Sequence, residues 1–528
     1  MKRSKFIYSL LLPVLVFCSC SKNWVDTKPN GTASSANLWD GETNVLKGVA
    51  GLYVPFRYES TWGRDLFWMQ VASDDLIVGR SKAAAQNIKN FVCTGREGYM
   101  STGWHDLYAM LNKTNMAIAG LQTATNISDD LKNRSLGEAY FLRGFTHFWI
   151  AYLWGEKAQG VPYDGVEDPE FGKKIPPQLP SVTDNYAIIA ADFQKAADLL
   201  PVFSTYGPAD QGRAHKAAAL GYLVKTYAYW AQYDNTKWAL IPDLCDQIKA
   251  TGRALITGQA TPLDNFKAVF SVDNNWSSEY IWSATSGTQG GSEFPGVVLE
   301  NTGWGIFNGW GYFQPTEELY DEYEPNDPRR EATILKFGDQ FTYFGVDRLY
   351  YSTNSLSGFQ INKYMDPYRY GTNNQSGTNT KINQSGDYPT TALNLSLMRY
   401  SEILLFKAEA LIQMGQDGSA PLNEVRARVG LAPIANPTMD DLKHERRCEL
   451  ACEWTDRLQD LKRWGDYDKI NEPLHGRIHA NKTDPASPYT IQIVWPARNF
   501  DPNRDMAWPI DPDEISRSNG VYKQTPGW

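Results

Sequence analysis

The stretch Glu138-Ala-Tyr-Phe-Leu-Arg-Gly-Phe-Thr-His-Phe-Trp-Ile-Ala-Tyr-Leu-Trp154 decides how this chain folds. Phe141, Phe145, Phe148 and Tyr152 recur at spacings of four, three and four, and Leu142, Trp149 and Leu153 make a second stripe beside them. That is the period of an α-helix, and so wide an apolar face has to be packed between neighbours. Upstream, Trp104 to Leu121 repeats the pattern through Leu107, Tyr108 and Leu111. Polar Thr123 to Asp130 separates the two, with Ser128 placed to cap the second helix. Together they predict a helical hairpin.

Further helices are expected over Asp184 to Leu200, Ala214 to Gln232, Ile241 to Ile256, Arg399 to Met414, Pro421 to Val429 and Thr438 to Trp464, punctuated by proline and glycine. Recurring pairs of comparable length predict a mainly α, tetratricopeptide-like scaffold in which each pair buries its apolar side on the next. The scaffold should span about 41–256 and 396–465. Between about 257 and 395 the period fails and Gly, Asn, Ser, Tyr and Trp dominate, with a polar run from Gly371 to Gly386 that reads as mobile. The stretch 466–528 also reads mostly as loop. Long irregular segments in a compact protein usually form functional surface, so 257–395 is the expected binding region.

At the N-terminus Lys2, Arg3 and Lys5 precede an apolar run from Phe6 to Phe17 that is too short to span a bilayer, and Ser19 stands directly before Cys20. This has the form of a lipoprotein signal over residues 1–19. Cys20 is the expected lipidation site, 20–40 a lipidated N-terminus and linker, and 41–528 a single domain held to a membrane by its acyl chains. The net charge of -9 gives no reason to expect a nucleic-acid partner. Cys93, Cys245, Cys448 and Cys452 are too few for a disulfide framework; Cys448 and Cys452, one turn apart, read as buried free thiols. The aromatic content is unusual: 18 Trp and 29 Tyr alongside 42 Gly suit loops that offer flat apolar faces to a ligand.

Several blocks carry a family resemblance. Glu138-Ala-Tyr-Phe-Leu-Arg143 is followed by Trp154-Gly155 and Val161-Pro162, and Arg213-Ala214 heads a later helix. Arg399-Tyr-Ser-Glu-Ile-Leu-Leu-Phe-Lys-Ala-Glu409 precedes Arg426, Arg428 and Gly430-Leu431. Then come Glu445-Arg446-Arg447-Cys-Glu449-Leu450, Glu453, Arg457, Asp460-Leu461 and Arg463-Trp464-Gly465, and finally Trp508-Pro509-Ile510 and Gln524-Thr525-Pro526-Gly527. In this order the blocks resemble the SusD/RagB group of outer-membrane nutrient-binding lipoproteins of Bacteroidetes. The resemblance implies four tetratricopeptide-like units whose interspersed loops form a ligand-binding cap. It also implies capture of a glycan at the cell surface without catalysis, delivery to a SusC-like TonB-dependent transporter, and an outer-membrane location facing outward.

The residues themselves raise rival chemistries. Glu449 and Glu453, one turn apart, invite the reading of a secreted helical glycoside hydrolase, but such a carboxylate pair must flank a bond across a cleft. With Arg446, Arg447, Arg457 and Arg463 close in sequence, an ion network is the better reading. A helical-repeat adaptor that binds protein or peptide is the other rival. His475-x-x-x-His479 has metal-like spacing but contains Gly476, lacks an intervening acid and is expected in loop, so surface histidines are expected and no metal site. Gly303, Gly305, Gly309 and Gly311 alternate with Trp304 and Trp310 outside any strand-to-helix context for phosphate. No cofactor is implied, and the spacing of the acidic loop residues gives a structural calcium ion no support.

Sugar binding asks for aromatic faces against the C–H side of a pyranose and polar groups around the rim. Trp276, in Asp273-Asn-Asn-Trp-Ser, and Trp304 and Trp310, among Gly and Asn, are the candidate platforms. Trp310 also begins a stretch, through Pro315-Thr316-Glu317-Glu318-Leu319, that resembles a structural element of the family. Asp74 and Arg80 from Ser73-Asp-Asp-Leu-Ile-Val-Gly-Arg80, and Tyr99 from the polar loop after Cys93, complete the expected ligand contacts.

Overall fold

The computed structural model describes residues 38–286, 294–298, 309–371, 381–383, 390–454 and 456–528. Cys20, Trp304 and most of the polar run after Gly371 lie outside them. In chain order the elements that matter are α1 (Glu42–Gly51), β1 (Leu76–Val78), α2 (Ala83–Lys89), α3 (Gly98–Gln122), α4 (Asp129–Trp154), α5 (Val182–Leu199), α6 (Lys216–Trp230), α7 (Ile241–Ala250) and α8 (Pro262–Val269). Then follow β2 (Tyr280–Ala284), α9 (Phe294–Val298), β3 (Phe313–Pro315), α10 (Glu317–Glu322), α11 (Arg329–Thr333), α12 (Tyr400–Gln413), α13 (Ser419–Arg428), α14 (Met439–Leu450) and α15 (Arg457–Trp464).

The expected hairpin is α3 against α4, and Ser128 caps α4 by accepting the Leu131 amide at 3.4 Å. α4 packs on α5, α5 on α6 and α6 on α7, so consecutive helices bury one another as in a tetratricopeptide array. After the loop-rich middle of the chain, α12 returns to pack on α6 and α7 as well as on α13 and α14, which closes the scaffold. The aromatic stripe of α4 forms its centre. Phe145 stacks on Phe56 at 5.3 Å and lies 4.8 Å from Trp62, while Phe141 meets Trp282 edge-on at 4.6 Å. Each buried ring of this kind contributes about 1.5–3 kcal/mol from area alone, and each pair about 0.5–1.5 kcal/mol more.

Three expectations need correction. The helix from Ile241 stops at Ala250, because Gly252 turns left-handed at φ 89. The stretch from Thr438 to Trp464 is two helices, α14 and α15, broken at Cys452, which takes φ 64. There the Glu449 carbonyl accepts from Arg399 Nη2 at 2.6 Å and Lys363 Nζ at 3.1 Å, and the Cys452 carbonyl from the Tyr364 hydroxyl at 3.1 Å. Donors from outside the helix thus satisfy carbonyls that a continuous helix would have bonded itself. The C-terminal stretch is not all loop either: Leu474–His479 and Tyr489–Trp495 pair as an antiparallel hairpin. His475 and His479 therefore sit on a strand. His475 is half-buried against Glu318, and His479 is buried and bonded to the Ser487 carbonyl, so neither is the surface histidine expected.

Candidate functional site

The motif residues dense in charge are buried and paired with one another. Glu138 of α4 accepts from Arg134 at 3.1 Å, Arg213 at 3.0 Å and the Tyr53 hydroxyl at 2.6 Å. Arg143 holds Asp192 at 2.6 Å and Asn115 at 2.9 Å. Glu453 meets Arg399 at 2.8 Å and Lys363 at 2.7 Å, and Glu449 pairs with Arg399, Arg428 and Arg329. Burial works to raise the Glu449 carboxyl, but Arg428, Arg399 and Arg329 override it and hold the pKa well below the usual carboxylate range. Glu449 is an ionic strut among three cations and Glu453 one between two, with no open face toward a substrate. Cys448 and Cys452 are buried free thiols.

The same network reaches the surface through β1. Asp74 Oδ2 accepts from Arg457 at 2.7 Å and is ion-paired with Arg447 at 3.0 Å, and Asp75 accepts from Arg447 Nε at 2.8 Å. Burial works against the Asp74 carboxylate, yet the two arginines hold its pKa below the ordinary aspartate value. The backbone of this segment is fastened as well. Buried Lys89 Nζ donates to the carbonyls of Val71 at 2.8 Å, Ser73 at 2.6 Å and Leu76 at 2.6 Å, and Arg498 Nη1 donates to those of Ala72 and Ser73 at 3.2 and 2.8 Å. Asp74 is thus a buried anchor and not the rim contact expected of it: with two guanidinium partners and almost no exposed surface, it has nothing to present to a ligand.

What the anchored segment delivers is Arg80. β1 pairs antiparallel with β3, Val78 opposite Phe313, and the Gly79 amide donates to the Tyr312 carbonyl at 2.8 Å. A Cβ on Gly79 would stand 1.9 Å from the Gly311 carbonyl oxygen, so only glycine permits the two chains to leave the ribbon this close together. Exposed Arg80 and half-buried Trp310 emerge side by side, the guanidinium 5.3 Å from the indole centre. They line a recess of about 420 Å³ together with Ser81, Gln314 and Asn354. Gln314 shapes its floor: Oε1 accepts the Leu356 amide at 2.8 Å and Nε2 donates to the Gly311 carbonyl at 3.2 Å.

Behind the recess runs a row of rings. Trp310 lies 5.3 Å from Tyr312, Tyr312 lies 5.2 Å from Trp68, and Trp68 stacks on Tyr99 at 5.3 Å with 20° between planes. Trp68 and Tyr312 are buried, whereas Trp310 and Tyr99 are half-buried. Burial and nearby Asp65 raise the Tyr99 phenol, which stays neutral. Lys82 Nζ stands 4.9 Å over Tyr312 and 5.8 Å from the Trp310 ring centre.

The structure therefore brings Trp310, Arg80 and Tyr99 into one neighbourhood and sends Trp276 elsewhere. Trp276 packs edge-on to Tyr280 at 5.1 Å and lies near-parallel to Phe203 at 6.3 Å, which is loop packing. Trp68, Tyr312 and Lys82 were not singled out from sequence. Tyr312 stands two residues from Trp310, the spacing of one face of a strand, and that signal was available. Among the described residues no group of three or more His, Cys, Asp or Glu is placed to hold a metal ion, and no helix is long and apolar enough to cross a membrane.

A model of the SusD family matches residues 268–528, and one described as "Starch-binding associating with outer membrane" matches residues 23–228. The chain belongs to the SusD family. It is 26% identical to SusD-like protein P2 of Formosa agariphila over 574 aligned residues, covering 100% of both chains. A SusD-like protein from Bacteroides fragilis superposes with a TM-score of 0.76 at 24% identity, covering 93% of this chain and 98% of that one. Surface glycan-binding protein A from Bacteroides thetaiotaomicron, solved in complex with laminarihexaose, superposes with a TM-score of 0.69 at 20% identity over 92% of this chain and 99% of that one. These likenesses show the SusD fold, the helical scaffold described above.

Proposed function

We propose that this SusD-family chain binds glycans at the cell surface without catalysis and passes them to a SusC-like TonB-dependent transporter, held to the outer membrane by lipid on Cys20. The observation that carries the reading is half-buried Trp310 beside exposed Arg80 at the mouth of a recess backed by a row of rings. An aromatic face against C–H groups and cationic and amide donors around it suit a pyranose. Support for the class comes from a protein of the same fold that was solved with laminarihexaose. Support for a non-catalytic role comes from Glu449 and Glu453, whose carboxylates are enclosed by cations. A receptor that hands its ligand onward needs rapid release, so affinities in the micromolar to millimolar range, roughly -8 to -4 kcal/mol, fit the task. No cofactor enters this scheme.

The test is titration of the protein with a panel of oligosaccharides, repeated with Trp310→Ala. Saturable binding that weakens at least about tenfold in the variant, a loss of about 1.4 kcal/mol, is the expected result. Failure of every glycan to bind, or release of shortened sugars from a bound polysaccharide, overturns the proposal.

A further inference from the structure

We propose that the glycan taken at the Trp310 recess is anionic, carrying carboxylate or sulfate groups that Arg80 and Lys82 receive; this rests on the reading of the recess as a glycan site. In the charged motifs the guanidinium groups are matched by acids: Arg399, Arg426, Arg428, Arg446, Arg447 and Arg463 each hold at least one carboxylate, while buried Lys89, Arg498 and Lys462 donate to backbone carbonyls instead. Arg80 and Lys82 break that pattern. Among the described residues neither has a carboxylate within the 4.0 Å of an ion pair, and both charged groups stand over the rings of the recess, at 5.3 Å and 5.8 Å from the Trp310 centre. The nearest acid in the ring row, Asp65, is bonded to Arg64 at 2.9 Å. In a chain of net charge -9, two cations on one aromatic wall with no carboxylate partner among the described residues have a chemical use.

The described lining points the same way. It contains no carboxylate, and of its two side-chain amide carbonyls, those of Gln314 and Asn354, Gln314 Oε1 already accepts from Leu356, Ser357 and Ser355. The recess thus offers cationic donors and no anionic acceptor among its described lining. Sugar hydroxyls donate as well as accept, whereas carboxylate and sulfate oxygens only accept. A guanidinium can meet two such oxygens at once, and an ammonium two residues on adds a second positive charge without strict geometry. The ring faces remain for the C–H side of the same residue.

The experiment uses the full chain in detergent solution and three oligosaccharides of equal length: a neutral one, one bearing uronic acids and one bearing sulfate esters. Binding is measured at low and at physiological ionic strength, for the wild type and for Arg80→Gln, Lys82→Gln and the double variant, with thermal midpoints recorded alongside. We expect one or both anionic chains to bind at least about tenfold more tightly than the neutral chain at low salt, the advantage shrinking as salt rises. In the double variant their affinity should fall to the neutral level while the thermal midpoint holds. The uronate and sulfate arms identify which anion is preferred. A neutral chain that binds as tightly as both anionic ones, or an anionic preference that survives the double variant, overturns the charge assignment and leaves glycan binding standing. If none of the three binds, the glycan reading and this inference fall together.

Discussion

Asp74 and Arg457 stand 383 residues apart in the chain and meet in a two-pronged ion pair, both contacts at 2.7 Å. The pair fastens the segment that carries Arg80 to the first turn of α15, so the wall of the recess is braced by the most charged part of the scaffold. Asp74→Asn removes the charge and leaves Arg457 and Arg447 buried without it. The expected cost is about 3–5 kcal/mol, read as a lower urea midpoint at neutral pH. The sign with pH follows from the depressed carboxyl: its contribution is full above the ordinary aspartate pKa of 3.8 and is lost as pH falls through the lower folded value. The gap between wild type and variant should therefore narrow in strong acid. A gap that widens there would contradict this account of the pair.

Trp310 and Trp276 are expected to separate binding from packing. Trp310→Ala removes a ring from the recess and should weaken glycan binding about tenfold or more, at a cost of about 2 kcal/mol in stability because the half-buried ring also packs against Tyr312. Trp276→Ala opens a gap against Tyr280 and Phe203 and should cost about 2 kcal/mol with glycan affinity unchanged. Titration and urea denaturation of the two variants side by side distinguish these outcomes. A loss of affinity in Trp276→Ala would place a second platform where the structure shows loop packing.

The contrast between these tryptophans shows what sequence could and could not tell. The stripes of α3 to α6 were legible because helix packing writes a local period into the chain. Arg80, Trp310 and Tyr99 could be picked out by composition, but their convergence depends on the pairing of β1 with β3 and on the bare backbone of Gly79, contacts between segments more than two hundred residues apart. Asp74 was misread for the same reason, since a polar residue in a polar-looking segment gives no hint that two arginines from α14 and α15 will enclose it. The break at Cys452 was equally hidden. No glycine or proline marks it, and it is imposed by Arg399, Lys363 and Tyr364 arriving from elsewhere.

Glu449 offers a test that separates strut from catalyst. Its carboxylate lies among Arg399, Arg428 and Arg329, and Glu449→Gln should cost about 3–5 kcal/mol by leaving those guanidinium groups under-compensated. A catalytic acid would behave otherwise: its loss would abolish sugar release and leave stability little changed. Chemical denaturation of the variant, with a product assay for both proteins on candidate polysaccharides, checks the pair of expectations. Sugar release by the wild type that vanishes in a stably folded Glu449→Gln protein would reinstate a hydrolase.

Lys462 of α15 gives a prediction of opposite sign. Its ammonium is buried, 4.9 Å from the Trp508 ring centre and 3.4 Å from the Met506 carbonyl, and it makes no ion pair among the described residues. Burial pushes its pKa down from 10.5 to about 7, against the weaker pull of Asp505 and Cys93. Because the unfolded chain holds this proton up to the ordinary lysine value, the unfolded state binds more protons between about 7 and 10.5, and this residue makes stability rise with pH across that window. Below pH 7 the penalty for charging it is constant and complete. Lys462→Met keeps the length of the side chain and removes the charge. The variant should be more stable than the wild type at pH 6, on the order of 2–4 kcal/mol, and the advantage should shrink steadily as pH is raised toward 10. Urea midpoints of the two proteins across this range decide the matter: a Met variant weaker at pH 6, or an advantage that grows with pH, would mean that the ammonium is held by its ring cage more strongly than burial penalises it.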